Sequence, residues 1–195
     1  MSKHHRFVVG TVTSLLALQV ASADGSSEKV RRSETMPTSR FIVEKRRTAA
    51  PFAHVVFCAR NAQDCSITGQ GWEVVLSPLI EKQLRDVNRS VNRSIRAQSD
   101  GQNDVWQTDV ASGDCEDYAL TKRARLIAKG QPSAALRIAV TKTPDHVGHA
   151  VLVVRTNRGD LVLDNRSDRI IWWNDTDLHW LMIQSAEDPR VWYAL

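Results

Sequence analysis

The run Gly113-Asp114-Cys115-Glu116-Asp117-Tyr118-Ala119-Leu120, continued through residues 121–128 and closed by Gly130, constrains the fold more than any other stretch. It reads as one helix with a start and a stop. Asp114 is an N-cap residue, Asp117 stands three positions on in a capping-box place, and Gly130 suits the C-terminal break. Cys115 then occupies the first helical position. At about 100° per residue, Ala119, Leu120, Ala124, Leu126 and Ile127 share one broad arc, and Thr121, Lys122 and Arg125 fall opposite. The first arc is expected to be buried and the second exposed, with the sulfur on the rim. Arg123 intrudes into the buried arc, and the sequence offers no reason for it.

Unpaired N–H groups and the dipole at a helix start favour a cysteine thiolate. Asp114, Glu116 and Asp117 oppose it. Two unit charges about 6 Å apart at an effective dielectric of about 20 repel by roughly 3 kcal/mol, about two pKa units per carboxylate. Either the acids are ordinary first-turn complements to the dipole and point away, or something positive sits among them. A hard divalent cation with oxygen ligands, calcium above all, is the natural candidate, and Asp114, Glu116 and Asp117 are its candidate ligands.

Lys3, His4, His5 and Arg6 precede an apolar run over residues 7–20, and Ala21-Ser22-Ala23 follows as a cleavage pattern. Residues 1–23 therefore read as a signal peptide, and the mature protein is expected to be periplasmic or secreted with no membrane span after cleavage. Setting aside Lys3 and Arg6 lowers the formal net charge of +4 to about +2, too little to argue for nucleic acid. In an oxidising compartment, Cys58 and Cys65 either close a small loop as a disulfide or leave Cys58 a buried thiol. Cys115 stays free in the first case.

Residues 24–47 form a polar segment read as a flexible arm, and residues 48–195, in a chain that is 42% hydrophobic, are expected to bury one core. Phe41-Ile42-Val43 is either a short strand or the first docked residues. Ser77-Pro78 opens an amphipathic helix with Ile80, Leu84, Val87, Val91 and Ile95 on one face. Its polar face carries Arg85, Asn88, Arg89, Asn92 and Arg93, and the sequons at Asn88 and Asn92 are read as surface residues. Trp106, in a connecting loop over residues 102–112, is a candidate cleft wall or a core anchor.

Strands follow the central helix. Residues 149–154 and 161–164 flank Thr156-Asn157-Arg158-Gly159 and read as a hairpin in which Arg155 faces Asp160. That register brings Asp164 diagonal to His149, whereas a turn at Arg158-Gly159 separates them by roughly 13 Å. Ile170-Ile171-Trp172-Trp173, Leu181-Met182-Ile183 and Val191-Trp192-Tyr193 are further strands. The fold class is α+β, an antiparallel sheet packed on two helices.

Cys115, His149 and Asp164 supply a nucleophile, a base and an orienting carboxylate. Each has a plainer reading: a satisfied strand-end histidine, a turn aspartate, or a zinc site made from the set. His54, His146 and His179 are rival bases. The blocks Gly113-Asp114-Cys115-Glu116-Asp117-Tyr118-Ala119-Leu120, Gly148-His149-Ala150-Val151-Leu152 and Leu163-Asp164-Asn165 resemble the bacterial transglutaminase-like cysteine proteinases. The likeness extends to Cys58, Cys65, Trp106 and the Val87-Asn88 and Val91-Asn92 pairs, and covers roughly residues 50–195.

This resemblance implies a papain-like, transglutaminase-like fold, a Cys115, His149 and Asp164 triad, and calcium bound through Asp114 and Glu116, with Asp117 adjacent. It implies no organic cofactor. In the family branch that clips large surface adhesins and so releases biofilm cells, an inner-membrane receptor for a cyclic dinucleotide sequesters the protease. The expected function is an exported cysteine endopeptidase acting on a periplasmic or surface protein. An acyl transferase of the same fold and a catalytically silent, calcium-dependent binding module are the alternatives.

Overall fold

Nearly continuous apolar runs in three consecutive strands, β4 (Leu136–Lys142), β5 (Gly148–Thr156) and β6 (Gly159–Leu163), build the centre of an antiparallel sheet. The computed structural model describes residues 39–101 and 104–195, so the signal peptide and the arm up to residue 38 lie outside the described residues. β1 (Arg47–Thr48), β7 (Ile170–Trp172), β8 (His179–Gln184) and β9 (Trp192–Ala194) complete seven strands in the order β1-β9-β8-β4-β5-β6-β7. A separate pair, β2 (Arg96–Ala97) and β3 (Ser112–Gly113), runs parallel. The expected class, helices on an antiparallel sheet, is what is found.

Leu136, Ile138, Leu152, Val154, Leu161 and Leu163 pack with helices α1 (Phe52–Arg60), α2 (Pro78–Ser94) and α3 (Cys115–Ala128). Ala139, Val151, Val153, Val162 and Ile183 pack on the other side with Ile42 and Leu178, partly covered by Trp173, Trp180 and Leu195. A sheet buried on both faces hides its alternation. That is why β4 escapes the sequence reading although it pairs with both β5 and β8. Arg137 also disguises it: the residue is 1% exposed, and its guanidinium faces Glu44 and Asp160.

The same network corrects the arm boundary at residue 47. Asp160 Oδ2 accepts from Ile42 N at 2.7 Å and Lys45 N donates to Ala194 O at 3.0 Å, so residues 42–47 are docked on the body. Phe41-Ile42-Val43 is not a strand. Polar composition concealed this because Ile42 and one buried charge cluster do the docking.

The β5–β6 hairpin has Arg155 opposite Asp160, the expected register, with Asn157-Arg158 as its two-residue turn. Gly159 is required there: its φ is +140°, and a Cβ would meet Arg40 O at 2.8 Å. α2 starts at Ser77, whose hydroxyl accepts from Ile80 N at 3.3 Å. Its polar face is not all surface. Asn88 is fully buried and donates to Ser167 O at 2.9 Å, and Asn92 donates to Asp164 O at 3.2 Å. The sequon reading fails at Asn88 because the loop after β6 covers it.

α1 leads into the Cys58–Cys65 disulfide, whose Cα atoms are 5.5 Å apart. His54 sits in its buried face, edge-on to Trp106 and Trp192 with ring centroids 5.2 Å away in each case. Burial, reinforced by Arg123, lowers its pKa from 6.5 to about 4. The unfolded chain therefore binds more protons between these values, and stability present above pH 6.5 is lost as pH falls toward 4. A loss of about 3 kcal/mol from this group is expected, seen as a lower urea midpoint at pH 4 than at pH 7 and flattened in His54→Gln.

Candidate active site

α3 lies between α2 and the sheet, so it is buried around most of its girth. Thr121 and Lys122, expected on the solvent side, are both fully buried. Thr121 Oγ1 accepts from Asp109 N at 2.9 Å. Arg123 now has a reason: Nε donates to Leu136 O at 2.9 Å and Nη1 to Asp64 O at 2.7 Å, tying the helix to β4 and the disulfide loop. Gly130, at φ +87°, ends the helix by donating to Ile127 O at 2.9 Å while Gln131 N reaches Leu126 O at 3.1 Å.

The helix start differs from the sequence expectation. Asp114 has the extended N-cap backbone, but its side chain caps no N–H. Asp117 turns back instead, accepting from Gln107 N at 2.7 Å, and is 2% exposed. It packs on Gly113, where a Cβ would fall 2.0 Å from Asp117 Oδ2. Gly113→Ala should therefore destabilise the fold by roughly 1–3 kcal/mol, because the buried carboxyl cannot swing aside; thermal melting checks it.

His149 opens β5 and Asp164 follows β6, and the hairpin register sets His149 Nε2 2.9 Å from Asp164 Oδ1. Arg166 grips the same carboxylate, Nε to Oδ2 at 2.9 Å and backbone N to Oδ1 at 2.8 Å. Burial alone would raise the pKa of Asp164, but the bonds from His149 and Arg166 outweigh it and bring it to about 2. Asp164 is thus ionised at neutral pH, and Nε2–H of His149 is its donor. Nδ1 is left as the acceptor.

The backbone N–H of Ala150, the residue after His149 on β5, lies close enough to Cys115 Sγ to favour its thiolate. The thiol donates to Glu116 Oε2 at 3.2 Å. Burial first, then the charge of Glu116, pushes the thiol pKa up, and the Ala150 N–H works against both. None of the rival histidines shares this geometry. His54 is in the core, and His146 and His179 stack on each other at 5.5 Å in exposed positions.

Among the described residues, two clusters could hold a metal. One is His54 with Cys58 and Cys65, whose sulfurs are bonded to each other. The other is Asp100, Asp114 and Glu116, with ligand atoms within 4.8 Å of one another. Asp100 was missed because nothing in its spacing marks it; the parallel β2–β3 pair carries it alongside Asp114. Asp117 does not join, since Gln107 N occupies it.

The set fits a hard cation. Asp114 Oδ1 is buried with no partner. Burial, then the hydrogen bond and charge of Asp114, raise Glu116 to about 9, as expected where carboxylates crowd together without a counter-charge. Trp106 is not a wall of this site. It is 7% exposed, its indole held by Asp104 Oδ1 at 2.9 Å and packed on Trp192. A surface cavity of about 650 Å³ that it does line is formed with Phe52, Val56 and Arg60, without Cys115 or His149.

Residues 44–195 match the family described as bacterial transglutaminase-like cysteine proteinase. Solved structures of Legionella pneumophila LapG are similar to the chain. The calcium-bound form has a TM-score of 0.53 at 28% identity, covering 59% of this chain and 69% of that one. The EGTA-treated form gives 0.52 at 29%, covering 60% and 68%. No curated protein matches.

Proposed function

Since the chain belongs to the bacterial transglutaminase-like cysteine proteinases and is a cysteine peptidase of that type, we propose that Cys115, His149 and Asp164 carry its reaction. We further propose that it works outside the cytoplasm on an exported protein, a large surface adhesin first among candidates. The observation that supports this best is the 2.9 Å His149–Asp164 bond, made from the strand whose next residue, Ala150, has its N–H near the Cys115 sulfur. Among the described residues, no helix is long and apolar enough to cross a membrane.

The chemistry follows from that arrangement. Asp164, ionised and fixed by Arg166, holds the imidazole in the tautomer whose Nδ1 is free. Nδ1 takes the thiol proton, and the thiolate at the start of α3 attacks the scissile carbonyl carbon. The C–N bond breaks as the imidazolium returns its proton to the leaving amine. A thioester remains on Sγ, and water activated by the same nitrogen hydrolyses it, restoring the thiol and freeing a carboxylate.

Calcium is the cation whose preference for several oxygens suits Asp100, Asp114 and Glu116, and LapG of Legionella pneumophila exists in calcium-bound and EGTA-treated forms. What it supplies when bound is positive charge among the carboxylates beside Cys115. Incubating the mature protein with exported proteins of its own cell, and sequencing the new termini, tests the reading. New termini that appear with the native protein and not with a Cys115 variant support it, and identical termini from both overturn it.

A further inference from the structure

Lys122 is fully buried and its amine has no hydrogen-bond partner. Seven residues separate it from Cys115, two turns of α3 less about 20°, so both side chains leave the same side of the helix. The carboxylates that act on its charge are Asp164 and Asp168, at the two ends of the loop after β6. α2 closes the same loop from its other side. Asn92 Nδ2 donates to Asp164 O at 3.2 Å, Ser167 O at 3.1 Å and Asp168 Oδ1 at 3.3 Å, and Asn88 Nδ2 donates to Ser167 O at 2.9 Å. The Oδ1 atoms of both asparagines are buried without partners. Arg89 and Arg93 meet Asp168 from outside, each at 3.7 Å.

Packing does not account for this. A methionine would fill the space of Lys122 without taking an amine out of water, and replacing a buried charge by an apolar residue of similar volume is often neutral or stabilising. Two amide oxygens with unspent hydrogen-bonding capacity belong to the asparagines that hold the one loop carrying Asp164, and the buried amine of Lys122 acts on that loop through charge. Charge on α3 and amides on α2 are the means of fixing that loop relative to Cys115.

We propose that Lys122 is a positioning residue for hydrolysis, tying the helix that carries Cys115 to the loop that carries Asp164. The proposal rests on the assignment of Asp164 to the triad. Lys122 acts on the loop through its charge, and Arg166 grips the Asp164 carboxylate. Together they keep Oδ1 on His149 Nε2, and a shift of about 0.5 Å there is enough to misalign the imidazole.

Cys115 is the free cysteine, so its alkylation by iodoacetamide reads the site without a substrate. With calcium present throughout, the rate is compared at about pH 6.5, where only an imidazole-assisted thiolate reacts, and at about pH 10, where hydroxide competes with the imidazole for the thiol proton. Lys122→Met should lose about ten-fold at the lower pH, keep the rate at the higher one, and melt no lower than the native protein. Asn92→Ala should lose in the same pattern. Equal losses at both pH values, a melting temperature lowered by more than a few degrees, or native rates in both variants overturn the proposal. Asp164→Asn separates the two readings. If it too reacts like the native protein, the triad assignment has failed; if it alone slows at low pH, only the role of Lys122 has.

Discussion

Replacing Cys115 by alanine is expected to abolish peptide-bond hydrolysis, lowering kcat/KM by at least about 10⁴-fold, with the fold intact. The size follows from the absence of a substitute. Cys58 and Cys65 are bonded to each other, and Ser112, the nearest serine in sequence, precedes the helix and lacks its N-terminal N–H groups. The fold should tolerate the change because the side chain sits at the first helical position, only partly buried, and alanine has the best helix propensity. Sequenced termini read activity and thermal melting reads the fold. Residual cleavage within ten-fold of native, in a variant that melts normally, would sink the nucleophile assignment and the reaction built on it. His149→Ala should fall nearly as far, since both residues act in one step and their losses do not add.

How far the sequence foretells this site depends on how local each part is. The start and end of α3 are written in adjacent residues, so Cys115 at the first position and Gly130 at the break are readable. The His149–Asp164 contact was readable too, because Arg155 opposite Asp160 fixes every pair back along the hairpin. What escaped is what depends on a partner distant in sequence. Thr121, Lys122 and Arg123 looked polar and exposed or misplaced, yet Thr121 and Arg123 bond to groups of other elements, Asp109 or Leu136 and Asp64, and Lys122 is buried under the charge of Asp164 and Asp168. β4 was hidden because Arg137 is neutralised by Glu44, ninety-three positions away. Asp117 and Asp100 changed places in the acidic cluster for the same reason. An acid just after the nucleophile in sequence turned to a backbone N–H, while one fourteen positions before Asp114 was delivered by strand pairing.

That exchange gives the second large effect. Stripping calcium by thorough chelation is expected to slow hydrolysis by at least about 100-fold, with activity restored by adding calcium back. Burial and Asp114 hold Glu116 near 9, and burial and Glu116 push the thiol up, so the bare site opposes the thiolate that the reaction needs. Two pKa units per opposing carboxylate, about 100-fold in thiolate at a fixed pH, sets the lower bound. Saturating calcium should also raise the melting temperature, by the equivalent of about 2.7 kcal/mol at one hundred times the dissociation constant. The ligand set makes the test specific. Asp100→Asn and Asp114→Asn should each weaken calcium binding, measured by calorimetry, because each contributes one of three clustered carboxylates. Asp117→Asn should leave the affinity unchanged while lowering the melting temperature, because its carboxylate serves Gln107 N. Full activity in metal-free protein would remove calcium from the reaction, and weakened binding in Asp117→Asn with none in Asp100→Asn would return the site to the three acids adjacent in sequence.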